Sequence, residues 1–197
     1  MHFTPDHTWN AFRRGNREAF EQIYRENVRG LINYGYKVTS DRRLIEDSVQ
    51  DLFVELWNSR TRLSETTSVR FYLFKALRHK IVRNSRQYTG RVLEDFTLDQ
   101  DQMIEVSHES YLIGLEVQSL QMANLRELIA ALPARQREAI NLRYFQNFSN
   151  DEVARIMGVN YQSACKFIYA ALKNLKHNLQ ISVTSWLPAI FFSFLMG

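Results

Sequence analysis

Apolar residues recur at intervals of three and four along most of this chain, the spacing that places side chains on one face of an α-helix. The pattern runs from about Trp9 to Arg86 and resumes from about Leu115 to Leu179. Between these stretches the sequence is acidic and weakly periodic, and only three Pro and seven Gly are spread over 197 residues. We therefore expect an all-α protein, in which two small helical domains are joined by a flexible acidic linker.

The breaks in periodicity divide the chain into four segments. They are a first domain at 9–86, an acidic linker at 87–116, a second domain at 117–180 and an apolar C-terminal tail at 181–197. The tail is shorter than the about 20 apolar residues of a membrane-spanning helix and contains Pro188, so we expect no stable membrane insertion. Three interpretations of the tail stay open. It could pack on the second domain, dock a partner or, as a weaker alternative, associate with a membrane surface.

One predicted helix of the first domain has two different faces. Its apolar stripe, which we assign to the core, consists of Val49, Leu52, Phe53 and Leu56, with Trp57 beside it. Another face carries Asp47, Gln50, Asp51 and Val54. Most charged faces only contact solvent, but an acidic face in a basic protein can also dock a basic partner.

The next predicted helix, about Arg70 to Arg86, mixes cations with aromatic rings. From Thr66 to Leu93 the sequence has seven Arg or Lys residues and no Asp or Glu, and the balance reverses in the linker. Cations neutralise phosphates and exposed rings stack on unpaired bases, a combination suited to single-stranded DNA. Because Phe74 shares a buried face with later apolar residues, Tyr72 is the better candidate for stacking.

The second domain contains the pattern of a helix-turn-helix. Ser149 and Glu152 have the spacing of a capping box, and Gly158 is placed to end the helix that they begin. In the following helix we expect the buried seam to consist of Cys165, Ile168, Leu172, Leu175 and Leu179. The opposite side carries Gln162, Lys166, Tyr169 and Lys173, and it can enter a DNA major groove. A small helical bundle with a solvated polar face is the alternative.

Composition narrows the classes of function. The net charge of +4 is compatible with nucleic-acid binding, and the single cysteine fits a reducing compartment without a disulfide. We find no metal-ligand spacing, phosphate loop or paired nucleophile and base, so we expect no metal, no cofactor and no enzymatic activity. The first residues do not resemble a signal peptide, which indicates a cytoplasmic location.

Four motifs together resemble one protein family. They are RRGNREAFEQIYREN, IEDSVQDLFVELW, VRFYLFKALRHKIVRNSR, and LPARQREAINLRYF followed by the helix-turn-helix. In this order they resemble the sigma2 and sigma4 domains of extracytoplasmic-function (ECF) sigma factors, over about 170 of the 197 residues. The resemblance is to the RpoE/FecI-like, Bacteroidetes-type members.

The resemblance implies a role in transcription initiation and a role for each face. The polymerase partners would be the beta-prime clamp and the beta flap of core RNA polymerase, and the DNA partners the promoter duplex and its melted non-template strand. The polymerase-binding residues would be Asp47, Gln50, Asp51, Phe53 and Trp57. The residues for the minus-ten element would be Arg62, Ser64, Thr66, Thr67, Arg70, Tyr72, Lys75, Arg78, His79 and Arg83. The residues for the minus-thirty-five element would be Asn160, Tyr161, Gln162, Ser163, Lys166, Tyr169 and Lys173.

Two departures from the family leave alternatives open. Phe167 and Ala170 stand where family members often have polar, DNA-contacting residues, so this chain either reads the minus-thirty-five element degenerately or is placed by another DNA-bound protein. The apolar tail is a candidate site for an anti-sigma factor. A helix-turn-helix regulator that acts without polymerase would explain the second domain, but it would need neither the acidic nor the basic-aromatic helix of the first.

Overall fold

The computed structural model describes residues 7–89 and 125–178, and these two ranges contain helices and no β-strand. The first range contains α1 (His7–Arg13), α2 (Arg17–Val38), α3 (Arg42–Ser59), a 3-10 turn (Arg60–Arg62) and α4 (Val69–Thr89). In the second range a helical segment at 125–130 precedes α5 (Ala134–Ile140), a π-helical turn (Asn141–Phe145), α6 (Asn150–Met157) and α7 (Tyr161–Asn178). The all-α prediction is confirmed.

Capping side chains determine where the helices of the first domain begin. The Asn16 side chain accepts a hydrogen bond from the Ala19 backbone N–H, and the Asp41 side chain accepts one from the Leu44 N–H. Both caps satisfy N–H groups that have no partner within the first turn of a helix. They leave only a three-residue connection between α2 and α3, so these two helices pack side by side.

The core of the first domain lies between α1, α2, α3 and α4. The stripe predicted on α3 is buried there, and Trp9 and Phe12 of α1 are buried with it. At the crossing of α2 and α3, a Cβ placed on Gly35 would lie 2.6 Å from Cγ2 of Ile45. Glycine therefore lets the two helix backbones approach closely at this point.

The predicted helix-turn-helix is present in the second domain. Ser149 caps α6 through the N–H of Glu152, and the Glu152 side chain accepts a hydrogen bond from the Ser149 N–H. Gly158 ends α6 in the left-handed conformation, with φ of 66°. Because glycine adopts this conformation without a steric penalty, the chain turns directly into α7.

The buried seam of α7 differs from the one predicted. Ala164, Ile168, Ala171 and Leu175 are buried, whereas Cys165 and Leu172 are only half-buried. The prediction favoured large apolar side chains, but α7 lies against both α5 and α6. Small alanine side chains allow that close approach, so Ala164 and Ala171 take the places predicted for Cys165 and Leu172. Ile168 and Leu175 are buried as predicted, and Leu179 lies outside the described residues.

The two domains also pack against each other. Helices α2 and α4 of the first domain contact α5, α6 and the π-helical turn of the second. The predicted acidic linker and apolar tail lie outside the described residues, apart from the linker's first three residues, which extend α4 to Thr89. Within residues 7–89 and 125–178, no helix is long and apolar enough to cross a membrane.

Candidate nucleic-acid interface

The acidic face predicted on α3 is open to solvent. Asp47, Gln50 and Asp51 are exposed, and Phe53 and Trp57 lie behind them against the core. The Phe53 ring packs edge-on against Tyr24 at 4.8 Å between centroids, and Trp57 packs against Phe20 at 5.1 Å. The aromatic residues therefore hold α3 in place, while the carboxylates are available to a partner.

The loop between the 3-10 turn and α4 is held by α1. The Trp9 indole N–H donates to the Ser64 carbonyl at 2.9 Å, and Arg13 Nε donates to the Leu63 carbonyl at 2.6 Å. The Thr66 hydroxyl accepts a hydrogen bond from the Ser68 N–H, which forms a tight turn before α4. Together these contacts give a defined conformation to a loop rich in exposed polar groups.

This loop forms one wall of a cavity of about 480 Å³. Thr67 and Arg70, two members of the predicted minus-ten set, line it, and Glu26 and Asn27 of α2 line it from the other side. The Asn27 amide N–H donates to the Ile23 carbonyl at 2.8 Å, which holds this side chain in place. Sequence patterns missed these α2 residues because they are about 40 positions from the loop and belong to no local motif.

The predicted minus-ten residues on α4 and just before it differ in exposure. Lys75, His79 and Arg83 are exposed on α4, and before this helix Arg62 of the 3-10 turn and Ser64 of the loop are exposed. Tyr72 is half-buried, with its ring 5.2 Å from that of Trp9. Burial, followed by the charge of Glu55, raises the pKa of Tyr72. Tyr72, His79 and Arg83 line a second, smaller cavity between α3 and α4, on which Lys80 also borders.

Arg78 lies at the contact between the domains and has a different environment from the other cations of α4. Its side chain is 12% exposed, and its Nε donates to Oε1 of Glu138 at 2.6 Å. The Tyr34 hydroxyl donates to the same oxygen at 2.8 Å. Burial alone would lower the pKa of Arg78, but its interactions with Glu138 and Tyr34 together outweigh burial, and the pKa of Arg78 is raised. Burial, followed by the Glu138 charge, raises the pKa of Tyr34 well above its usual value.

The face predicted on α7 for the minus-thirty-five element is exposed. Its members Asn160, Tyr161, Gln162, Lys166, Tyr169 and Lys173 are open to solvent, and Ser163 is half-buried. The Asn160 side chain caps α7 by accepting from the Ser163 N–H at 2.7 Å. Phe167, which stands where family members often have a polar residue, packs partly against the core, so this position offers no polar group to DNA. The exposed face therefore combines amide, hydroxyl and ammonium groups, which suits base edges and phosphates.

Two family descriptions match the chain, in the order of its two domains. Residues 23–91 match Sigma-70 region 2, and residues 122–175 match Sigma-70, region 4. Together the matches cover more than half of the chain, which belongs to the sigma-70 family. Within that family it is an ECF sigma factor with regions 2 and 4.

Curated relatives agree with this assignment. The chain is 25% identical over 173 residues to the RNA polymerase sigma factor YlaC of Bacillus subtilis, a match that covers 83% of this chain and 94% of YlaC. It is 24% identical over 170 residues to the ECF RNA polymerase sigma factor SigX of the same organism, which covers 83% of this chain and 85% of SigX.

Solved structures show the same fold. The sigma factor RpoE of Bartonella quintana, crystallised with the anti-sigma factor NepR, aligns with a TM-score of 0.59 at 21% identity, over 83% of this chain and 98% of RpoE. CnrH, solved in complex with the cytosolic domain of CnrY, aligns with a TM-score of 0.56 at 19% identity, over 86% of this chain and 93% of CnrH.

Proposed function

We propose that this chain binds core RNA polymerase, recognises promoter DNA and promotes strand opening at the start of transcription. It acts in the cytoplasm as a non-enzymatic subunit, without a metal or cofactor. The observation that carries the proposal is the separation of charge within the first domain. Asp47 and Asp51 are exposed on α3, Lys75 and Arg83 are exposed on α4, and the polar cavity lies between α2 and the start of α4.

The acidic face of α3 is the proposed contact with the beta-prime clamp of the polymerase. Its carboxylates are exposed and its supporting aromatic rings are packed, so docking requires no rearrangement of α3. The second domain then contacts the beta flap and presents α7 to the minus-thirty-five element.

The cavity lined by Thr67, Arg70, Glu26 and Asn27 is the proposed site for a base that leaves the minus-ten duplex. Extruding and unstacking a base costs a few kcal/mol. Contacts of the cavity with the base, together with cation contacts to phosphates, offset this cost without ATP. Strand opening is then driven by binding energy alone.

The finer assignment, to RpoE/FecI-like factors of the Bacteroidetes type, is also a proposal, supported by the region 2 motifs and the apolar tail. We further propose that an anti-sigma factor or a DNA-targeting protein is an additional partner. The partly buried Phe167, which leaves α7 with fewer polar groups for DNA, supports a second protein at the promoter. A holoenzyme assay in which scrambling the minus-thirty-five sequence abolishes initiation would argue against that second protein.

Copurification with core RNA polymerase tests the central proposal. The intact chain should be captured stoichiometrically, and Asp47→Arg with Asp51→Arg should weaken capture by at least about tenfold, because two attractive charges become repulsive. The control is Glu127→Arg, a charge reversal of the same kind at an exposed position of the second domain, and it should be captured like the intact chain.

Captured holoenzyme is then tested on a genomic fragment library, with permanganate reactivity of unpaired thymines as the readout of opening. New start sites that depend on the chain support the proposal. Tight duplex binding by the chain alone, with no capture by polymerase, would instead support a helix-turn-helix regulator.

A further inference from the structure

The contact between the two domains is built around one buried carboxylate. The side chain of Glu138 on α5 is 4% exposed and accepts from Tyr34 of α2 and Arg78 of α4. A carboxylate and a DNA phosphate offer a guanidinium the same thing, a pair of anionic oxygens. Arg78 belongs to the proposed minus-ten set. Glu138 of the second domain therefore occupies a guanidinium that the proposed function assigns to a DNA phosphate.

A second set of contacts lies beside the base cavity. The Phe148 ring packs edge-on against Phe74 at 5.2 Å, and the Arg70 guanidinium lies 5.4 Å from the centre of the Phe148 ring. Arg70 also hydrogen-bonds to the Gln146 side chain. Arg70 and Phe74 both line the cavity proposed to take a base, so the corner at 146–148 lies at its rim.

The proposed polymerase contact is not part of this arrangement. Asp47 and Asp51 on α3 are exposed in the same structure in which the Arg78 side chain is only 12% exposed, and Lys166 and Tyr169 on α7 are also exposed. We call the arrangement in which the two domains are in contact closed. It leaves the proposed polymerase-docking face of α3 available, while the second domain covers part of the surface proposed to bind the minus-ten strand.

We infer that the second domain is a built-in competitor of the melted strand, with Glu138 in the place of a phosphate on Arg78 and the 146–148 corner over the base cavity. This inference rests on the proposed function. In it, the chain docks on polymerase through α3 while closed. Separation of the domains then releases Arg70 and Arg78 to the minus-ten strand.

A reversible crosslink tests the competition. A Cβ placed on Gly30 would lie 3.6 Å from Phe74, an ordinary contact, and 3.8 Å from Oε1 of the Gln146 side chain, so positions 30 and 146 lie within one side-chain length of each other across the contact and a short reagent can span cysteines placed there. With Cys165→Ser, a short bis-methanethiosulfonate reagent should join Gly30→Cys to Gln146→Cys in high yield, and dithiothreitol should release it. The comparison is between the joined and released states of one variant.

The joined state should still be captured by core polymerase through α3 but should open promoters at least about tenfold less than the released state. Equal opening by the two states would overturn the inference, as would failure of the two cysteines to crosslink in the free chain. Absence of capture in both states, and with the unmodified chain, would overturn the proposed function instead.

A second variant reports on the domain contact without polymerase. Glu138→Gln keeps the shape and the acceptor for Tyr34 but removes the charge that holds Arg78, so the rate of crosslinking between positions 30 and 146 should fall at least about fivefold. Glu127→Gln makes the same chemical change at an exposed position of the second domain and should leave the rate unchanged. Helical circular dichroism confirms folding of both variants. An unchanged rate in Glu138→Gln would show that this carboxylate does not hold the domains together.

Discussion

The ion pair between Lys80 and Glu55 joins α4 to α3, and its two members differ greatly in exposure. The Lys80 side chain is 5% exposed and its Nζ lies 2.5 Å from Oε1 of Glu55, whose side chain is 63% exposed. Lys80 Nζ is buried and makes no hydrogen bond to the described residues, so Glu55 supplies its counter-charge. We predict that Glu55→Ala destabilises the protein and that Lys80→Met does not.

The magnitude follows from the burial of the ammonium. Removing one partner of a fully buried pair costs about 3–5 kcal/mol because the other charge is left uncompensated. Glu55 is largely exposed and a cavity of about 150 Å³ adjoins the pair, so water can reach Lys80 once the carboxylate is gone. We therefore expect Glu55→Ala to cost about 1–3 kcal/mol. Lys80→Met replaces the buried charge with an apolar chain of similar length and should be neutral or stabilising.

The assay is thermal unfolding followed by helical circular dichroism, in which about 1 kcal/mol shifts Tm by roughly 2–4 °C for a chain of this size. Glu46→Ala is the matched control, because Glu46 lies on the same helix and pairs with Arg42 on the exposed surface. Solvent screens that pair, so its loss should change Tm much less.

The double variant decides between charge and packing. If Glu55→Ala destabilises the protein because it leaves the buried Lys80 ammonium without a counter-charge, adding Lys80→Met should reverse most of the decrease in Tm. The reasoning is refuted if Lys80→Met lowers Tm more than Glu55→Ala does, or if Glu46→Ala and Glu55→Ala have equal effects.

Three further predictions concern stability and DNA binding. Ser149→Ala removes the cap of α6 and should cost about 1 kcal/mol, whereas Ser149→Asp should retain stability; thermal unfolding of both variants checks this. Burial, followed by the charge of Arg137, lowers the pKa of Lys37, so the folded protein binds that proton less tightly than the unfolded chain does. Stability should therefore rise as pH increases through the lowered pKa toward 10.5, and Lys37→Gln should raise Tm at pH 7 and flatten this part of the pH profile. Lys166→Ala should weaken promoter binding by the holoenzyme and reduce its salt dependence by about one unit of slope, whereas an unchanged slope would place Lys166 away from phosphates.

Local sequence determined the helices and several of their faces. The capping box at Ser149 and the end of α6 at Gly158 depend on residues within a few positions, and the structure places both as predicted. The exposure of Asp47 and Asp51 opposite a buried stripe also follows from helical periodicity alone. The residues assigned to polymerase and DNA contacts remain predictions.

Tertiary packing decided the rest, because it brings together residues with no local relation. Arg78 has the same sequence signature as the exposed cations near it, yet Glu138, 60 residues away, holds it between the domains. The buried seam of α7 uses Ala164 and Ala171 because two helices approach it closely, which no count of apolar residues reveals. Asn27 joins the polar cavity only because α2 packs beside α4. Periodicity identifies which face of a helix is buried, but the partner that buries it is chosen by the fold as a whole.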